Sequence, residues 1–502
     1  MNQRQRRAHV ATALGLACIG APLYGAGFGA RIQSAQSLGT AYSAEGTGKD
    51  PSLIFSNPAL IGSFKRHSIT IGAAHIRPEV DFESGSRTIP GVGLTAQDTE
   101  TSVSNVSPKS STVPTLSGVH PITESVNIGW NVTVPFATSS DYGEEWVGRY
   151  HASETQLQVL NFDLAASYQL SEQWTFGFGV QAQRGTGVIA GASNGGAGFA
   201  SAGVKEFQAA LAAGGEALST LTGVAAQMYQ AFQGLNPDQK DPKAVQAAAR
   251  KAIASTLANY DSQGDVIAEY KGDNLAYGYV AGLTFDPSSS LRFGLSYRSS
   301  IKHETEGDIT LSGDNNLSLG IIQQRGLVPG QATGAKLDIT LPDTVVFGTS
   351  YLITDDLNLY GNLTLTRWST VESLNIEYTD INSDPVIVKL DWQDTLAYSI
   401  GGDYRLNDQI TLRAGAAIDP TPTTDDLRSP RSPDNNRTVL SLGAGYGQGN
   451  WRVDGAFAHY IIEDPTLNLD ENAYPGAVGR GNLQGRYSAT VNTFMMQFGY
   501  QI

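Results

Sequence analysis

Stretches in which every second residue is apolar recur along this chain, and a period of two is the pattern of a β-strand with two unlike faces. From Leu160 one face reads Leu160, Phe162, Leu164, Ala166, Tyr168 and Leu170; the other reads Asn161, Asp163, Ala165, Ser167 and Gln169. From Trp174 the faces are Trp174, Phe176, Phe178, Val180 and Ala182 against Thr175, Gly177, Gly179, Gln181 and Gln183. The alternation returns at 275–285, 396–406, 410–418 and 440–446, and ends on Phe494, Met496, Phe498, Tyr500 and Ile502. A soluble sandwich alternates too, so the connections decide. Short polar turns fall near Thr123-Glu124, Ser171 to Gln173, Asp286 to Ser290, Thr354 to Asp356, Asn407-Asp408 and Gly447 to Asn450. Between them lie long connections, at 81–111, 138–154, 191–272, 314–335, 379–393, 420–436 and 464–485. Short turns at one end and long loops at the other are the layout of an outer-membrane barrel. Six turns and seven loops join 14 strands, so the expected fold is all-β: a 14-stranded antiparallel transmembrane barrel over 67–502.

The first residues predict how such a barrel is exported. Arg4, Arg6 and Arg7 precede an apolar run from Ala8 to Ala21, and Pro22 to Ala26 is turn-prone and ends in small residues. That is the layout of a secretory signal peptide, 1–25, with cleavage after Gly25. Cys18 does not mark a lipid anchor, because Gly15 stands where a lipobox has leucine. The mature chain then has no cysteine, and its charge moves from -15 to about -18 with the loss of three arginines. Such acidity repels phosphate backbones and excludes nucleic acid as a partner. Tyr168, Trp174, Phe285, Phe293, Tyr351, Tyr404, Tyr446, Trp451 and Tyr500 lie at the short-turn ends, where amphipathic rings form a girdle at the headgroups.

Residues 26–66 are Gly-rich and do not alternate, yet they carry Leu38, Tyr42, Leu53, Ile54, Phe55 and Leu60. Too apolar for a solvated tail, the segment reads as a hatch inside the lumen, where inward polar faces satisfy its backbone. Gly39 to Gly46 followed by Asn57-Pro58-Ala59-Leu60 resembles the hatch of the long-chain fatty acid outer-membrane transporter family (FadL/TodX type). Asp141-Tyr142, Glu145 to His151, Tyr297-Arg298-Ser299, Leu341-Pro342, Arg367-Trp368-Ser369 and Ser432-Pro433-Asp434 fall in that family's order. The resemblance implies a monomeric barrel that captures a hydrophobic ligand at its extracellular loops and holds it in an inner pocket. The ligand leaves sideways through the wall once the N-terminus moves. It implies that Ala26, Gly27 and Phe28 line the pocket, and that Asn57, Pro58 and Ala59 lie near the wall gap. It also implies that Ile189 is a pocket residue and that Lys389 receives a carboxylate. Gly191 stands where the family has an arginine, with Arg184 the nearest cation, so a neutral cargo is also open.

Two features speak without the resemblance. Pro135 lacks an N–H, and every strand of a closed barrel is central, so it either marks a strand end or kinks the wall. Phe207, Leu211, Leu218, Leu221, Met228 and Phe232, then Val245, Ile253, Leu257 and Tyr260, follow helical spacing in the 191–272 loop, with Asp241-Pro242 a helix start. These stripes either bury one another or leave a groove where ligand lands.

Catalysis is not indicated. Gly191-Ala192-Ser193-Asn194-Gly195 fits a nucleophile elbow, but in a Gly/Ala-rich loop with no partner histidine in sequence. The seven histidines lack metal-ligand spacing and no phosphate loop exists, so neither cofactor nor metal is expected. The expected function is passive uptake of hydrophobic small molecules, most simply long-chain fatty acids. Aromatic hydrocarbon or ester uptake and lipid export on the same fold stay open; a general porin and a Ser193 esterase are the competing classes. Expected partners are the ligand, lipopolysaccharide and other outer-membrane lipid, and the outer-membrane assembly machinery.

Overall fold

The computed structural model describes residues 26–502 apart from 90–94, 97–99, 108–109, 215, 239, 262–264, 314–327, 329, 384 and 472–479. The signal peptide and its cleavage site lie outside the described residues.

Fourteen antiparallel strands form the wall. They are β1 (Ser68–Arg87), β2 (Ser111–Pro121), β3 (Val126–Asp141), β4 (Glu154–Gln169), β5 (Trp174–Ser193) and β6 (Val266–Ser288). Five strands run in two pieces, the first four of them β7 (Leu291–Arg298, Ile301–Ser312), β8 (Thr333–Leu341, Thr344–Leu352), β9 (Leu357–Thr366, Ser373–Tyr378) and β10 (Val386–Lys389, Thr395–Arg405). Then come β11 (Ile410–Asp419), β12 (Arg437–Gln448), β13 (Trp451–Ile462, Thr466–Leu469) and β14 (Leu483–Gln501). Each strand pairs with its neighbours in sequence, and β14 returns to β1 from Ser68↔Gln501 to Arg87↔Leu483. Closure leaves no open edge, as a sheet in hydrocarbon requires, except along an upper stretch between β2 and β3.

The alternation is inverted relative to a soluble protein. Outward rows carry large apolar side chains, among them Ile400, Leu442 and Met496 at 65%, 64% and 67% exposure. Inward rows carry buried Asn127, Asn131, Asn161, Asp163, Gln181 and Gln183. Lipid faces the first set and the lumen the second. At the short-turn end Trp174 stacks on Phe285 (4.2 Å) and Tyr446 leans on Trp451 (5.5 Å), which forms the girdle.

The long connection after β5 folds into helices, numbered after a short hatch helix α1 (Ala35–Gly39): α2 (Gly195–Ala213), α3 (Glu216–Ser219), α4 (Gly223–Gly234) and α5 (Pro242–Tyr260). Phe207, Met228, Phe232, Ile253 and Leu257 bury one another, with Leu211, Leu218, Leu221, Val245 and Tyr260 packed at the margin. The stripes read from sequence are therefore a helical core. Asp241 caps α5 by accepting from Lys243 N (2.9 Å), with Pro242 in its first turn.

Candidate functional site: hatch, wall gap and aromatic box

The hatch fills the lumen through local capping. Ser34 Oγ accepts from Ser37 N (3.2 Å) to start α1, and Asp50 Oδ1 accepts from Ser52 N (3.0 Å) to start the 3-10 turn Pro51–Ile54. Asn57 Oδ1 accepts from Ala59 N (3.0 Å), with Pro58 opening the turn Pro58–Ser63, where a missing N–H costs nothing. The Asn57 amide also donates to Gly46 O and, on β6, Leu283 O, both at 3.3 Å. Inward glycines on seven strands make the seat: Gly177, Gly282, Gly294, Gly348, Gly401, Gly415 and Gly443. A Cβ on Gly348 would lie 2.7 Å from Gly46 Cα, and one on Gly177 would strike the backbone of Pro58 and Ala59. Only a bare backbone lets the hatch come this close.

Beside the hatch the wall has a gap. The β2–β3 ladder stops at Leu116↔Val132, although β2 stays paired to β1 up to Ser111. Across β3 the register to β4 shifts between Thr133 and Phe136, at Val134-Pro135. Pro135 therefore sits in a bulge, where its missing N–H is tolerated. The gap is bounded above by Asp141 N donating to Val106 O (2.8 Å). Residues 26–30 cover it from inside. Gly29 bridges Phe136 antiparallel; Ala30 N donates to Pro135 O (2.7 Å) and Ala137 N to Phe28 O (3.0 Å). A five-residue segment thus supplies the strand pairing that β2 withholds.

Phe28 itself enters a box of aromatic rings. Its centroid lies 5.1 Å from both Trp368 and Trp392 and 6.1 Å from Phe136. Trp368 reaches the lumen because β9 is interrupted by the single turn Trp368–Thr370. Gly27 has φ +63°, and a Cβ there would lie 2.7 Å from Trp392. Two carboxylates hold residues 26 and 27: Ala26 N lies 3.3 Å from Asp419 Oδ2, and Gly27 N donates to Asp434 Oδ2 (2.8 Å). Burial lifts the Asp434 carboxyl above its usual range against the pull of Arg437. Below the box a cavity of about 90 Å³ is lined by Pro135, Phe136, Trp368, Phe55, Arg31 and Arg298, among others. Arg31 pairs with Glu45 (2.6 Å) and lies over the Tyr42 ring.

The structure thus brings Ala26, Gly27, Phe28 and Pro135 together, with Ile189 in the same apolar cluster. Asn57, Pro58 and Ala59 sit in the hatch seat against β5 and β6. Lys389 is placed elsewhere. Its neighbours Val388 and Leu390 turn into the cluster, so Lys389 points to the opposite face, 40% exposed and paired with Asp391. Arg184 also faces outward, against Asp273 (3.1 Å). The cation that stands beside Gly191 comes from a distant loop: a Cβ on Gly191 would lie 3.4 Å from Arg431 Nη2. Arg431 is buried, and its Nη1 donates to Ala190 O (3.1 Å), Thr155 Oγ1 (3.1 Å) and Glu154 O (3.2 Å). Linear sequence gives no sign of that juxtaposition. Ser193 ends β5, and among the described residues no histidine bonds it.

Above the box the extracellular cap holds a buried His151, whose Nε2 lies 3.0 Å from Gly481 O. Burial, then the charge of Arg480, pushes this imidazole down to about 3.

A family model described as "Outer membrane protein transport protein (OMPP1/FadL/TodX)" matches residues 16–502. The chain is 26% identical to a long-chain fatty acid transport protein of Escherichia coli over 450 residues, 89% of each chain. It is 26% identical to outer membrane protein P1 of Haemophilus influenzae, with 95% of this chain and 97% of that protein covered. Among solved structures it resembles a Pseudomonas aeruginosa FadL homologue with a TM-score of 0.75 at 22% identity, covering 95% of this chain and 99% of the other. The toluene transporter TodX of P. putida aligns with a TM-score of 0.59 at 15% identity over 96% and 99%. At these identities the solved structures bear on the fold alone.

Proposed function

The chain belongs to the outer membrane protein transport family (OMPP1/FadL/TodX), a multi-pass barrel of the outer membrane, and from that premise we propose that it takes up long-chain amphiphiles such as fatty acids by passive diffusion with lateral exit. The carrying observation is that Phe28 does two things at once: its ring fills the aromatic box and its backbone closes the gap in the wall. A ligand chain that takes the place of the ring withdraws residues 26–30 from β3, and the route past Pro135 opens toward lipid. For an apolar cargo that route is downhill, since it leads to hydrocarbon and not to water.

Magnitudes favour a long chain. Vacating an aromatic core site costs about 3–5 kcal/mol, and two backbone hydrogen bonds add roughly 1 kcal/mol each. Each buried methylene returns about 0.8 kcal/mol, so six to nine of them offset the gate. A carboxylate has cations to meet along this path, Arg31 in the cavity wall and Arg431 beside Gly191. These arginines support a fatty acid over a neutral hydrocarbon, the second reading that the toluene transporters keep in view.

The test tethers the gate. Gly29 and Phe136 are directly opposed, a spacing that suits a disulfide. Gly29→Cys with Phe136→Cys should take up labelled fatty acid into proteoliposomes when reduced and not when oxidised. Equal uptake in both states would show that the N-terminal strand is not the gate.

A further inference from the structure

Next to the cavity, the hatch is gripped by side chains in a different way from its N-terminal strand. Asp163 on β4 is fully buried and surrounded by four donors. Gln181 Nε2 donates at 2.7 Å, Asn161 Nδ2 at 2.8 Å and Arg298 Nη1 at 3.4 Å. Asn131, with its amide turned to satisfy its neighbours, donates at 2.7 Å. Four donors occupy the roughly four acceptor sites of a carboxylate. Two of the four also hold one hatch residue. The Asn131 amide oxygen accepts from Phe55 N (3.1 Å), and Arg298 Nη2 donates to Phe55 O. The Arg298 guanidinium lies over the Phe55 ring, 3.5 Å from its centroid. One residue on, Ser296 Oγ donates to Ser56 O (2.5 Å).

We propose that Asp163, Arg298 and Asn131 are positioning residues that rivet the hatch to β3, β4 and β7 at Phe55, so that it stays seated while residues 26–30 move. The proposal rests on the reading that residues 26–30 are the moving part. The chemistry of the two attachments differs in the direction this requires. Residues 28–30 are held to β3 by two backbone bonds and an apolar ring whose place an apolar ligand can take, and residues 26 and 27 are held by their N–H groups on Asp419 and Asp434. The rivet is a buried ion pair with charge-assisted bonds, and an alkyl chain offers nothing to exchange for them. The consequence is a barrel that passes hydrophobic cargo sideways and stays closed to ions and polar solutes along its axis.

The experiment is planar-bilayer conductance of the full mature barrel, with and without oleate, folding checked by heat-modifiable migration in gels. Wild type should stay non-conducting in both conditions. Arg298→Lys keeps a cation beside Asp163 but lacks the fork that also reaches Phe55; it should fold, bind oleate and conduct, with at least a tenfold rise in open-channel events when oleate is present. Asn131→Ala serves as the milder variant, expected to leak less, and only with oleate. A folded Arg298→Lys and a folded Asn131→Ala that both remain as tight as wild type would overturn the rivet. Failure of the gate reading shows differently: the Gly29→Cys, Phe136→Cys barrel then takes up oleate equally when oxidised and when reduced, while a leak in the variants still reports on the hatch. Ser56→Cys with Ser296→Cys adds a structural control in the Arg298→Lys background. Forming the introduced disulfide should silence the leak and reducing it should restore the leak; a leak indifferent to the bond would mean that it does not pass through a loosened hatch.

Discussion

At the scale of single residues, the proposed gate depends on side chains too small or too apolar to advertise themselves. Gly27 has to be glycine twice over, for its φ of +63° and for the tryptophan face it lies against. Gly27→Ala should lift the N-terminal strand out of the box; the readout is the emission of Trp368 and Trp392, two of six tryptophans, shifted to the red before any ligand is added. Phe28→Ala removes a ring worth about 3–5 kcal/mol of packing. It should leave the barrel folded and raise the amide exchange of residues 28–30 and 136–137 by two orders of magnitude or more. His151 carries a pH dependence of known sign. Its folded value near 3 lies below the ordinary value of about 6.5, so the folded cap binds fewer protons than the opened one. The contribution of His151 is complete above pH ~6.5 and is lost progressively as pH falls toward 3. Exchange protection around Gly481 should therefore drop from pH 7.5 to pH 5, and His151→Gln should flatten that dependence. Phe28 enters the sequence reading through the family resemblance alone and Arg431 not at all, for one reason: each acts through partners more than a hundred residues away.

The elements were far easier to read, because a strand between lipid and lumen has to alternate. That rule, with the turn-and-loop rhythm, places the 14 strands, and helical spacing places the stripe from Phe207 to Tyr260. It fails where strands break. The upper pieces of β7 to β10 and the tail of β13 stand clear of the apolar belt, where both faces can be polar, so the 379–393 connection read as loop holds a piece of β10. The same blind spot covers Lys389. Its strand alternates, but the apolar rows of Val388 and Leu390 face inward above the membrane, the reverse of their direction within it, so Lys389 turns outward. Lys389→Ala should accordingly leave fatty acid uptake within about twofold of wild type. The gap between β2 and β3 yields a sharper expectation. Ala30→Pro deletes the N–H that bonds Pro135 O, a loss of about 0.5–1.5 kcal/mol in gate closure. It should speed uptake several-fold without changing the melting of the barrel, which does not include that bond.

On the proposed gating, the whole molecule converts the displacement of one ring into an opening in a wall that otherwise has no edge. Its selectivity is then set by free energy and not by pore width. Short apolar solutes leave Phe28 in the box, because their transfer free energy falls below the roughly 5–7 kcal/mol that holds the strand. Longer chains exceed it at about 0.8 kcal/mol per methylene. Uptake across a series of saturated fatty acids should therefore rise steeply over a narrow range of chain length near six to nine buried methylenes, then level off once the gate is always open. Phe28→Ala removes most of the threshold and should shift the rise to chains four or more carbons shorter, while the plateau stays where it was. The measurement is initial uptake rate against chain length in proteoliposomes at fixed free ligand, wild type beside Phe28→Ala. A channel that merely sieves by size would show the opposite slope, with short chains fastest in both proteins. A smooth rise with no shift in the variant would place the selective step above the box, in the extracellular loops, and leave Phe28 as a passive part of the wall.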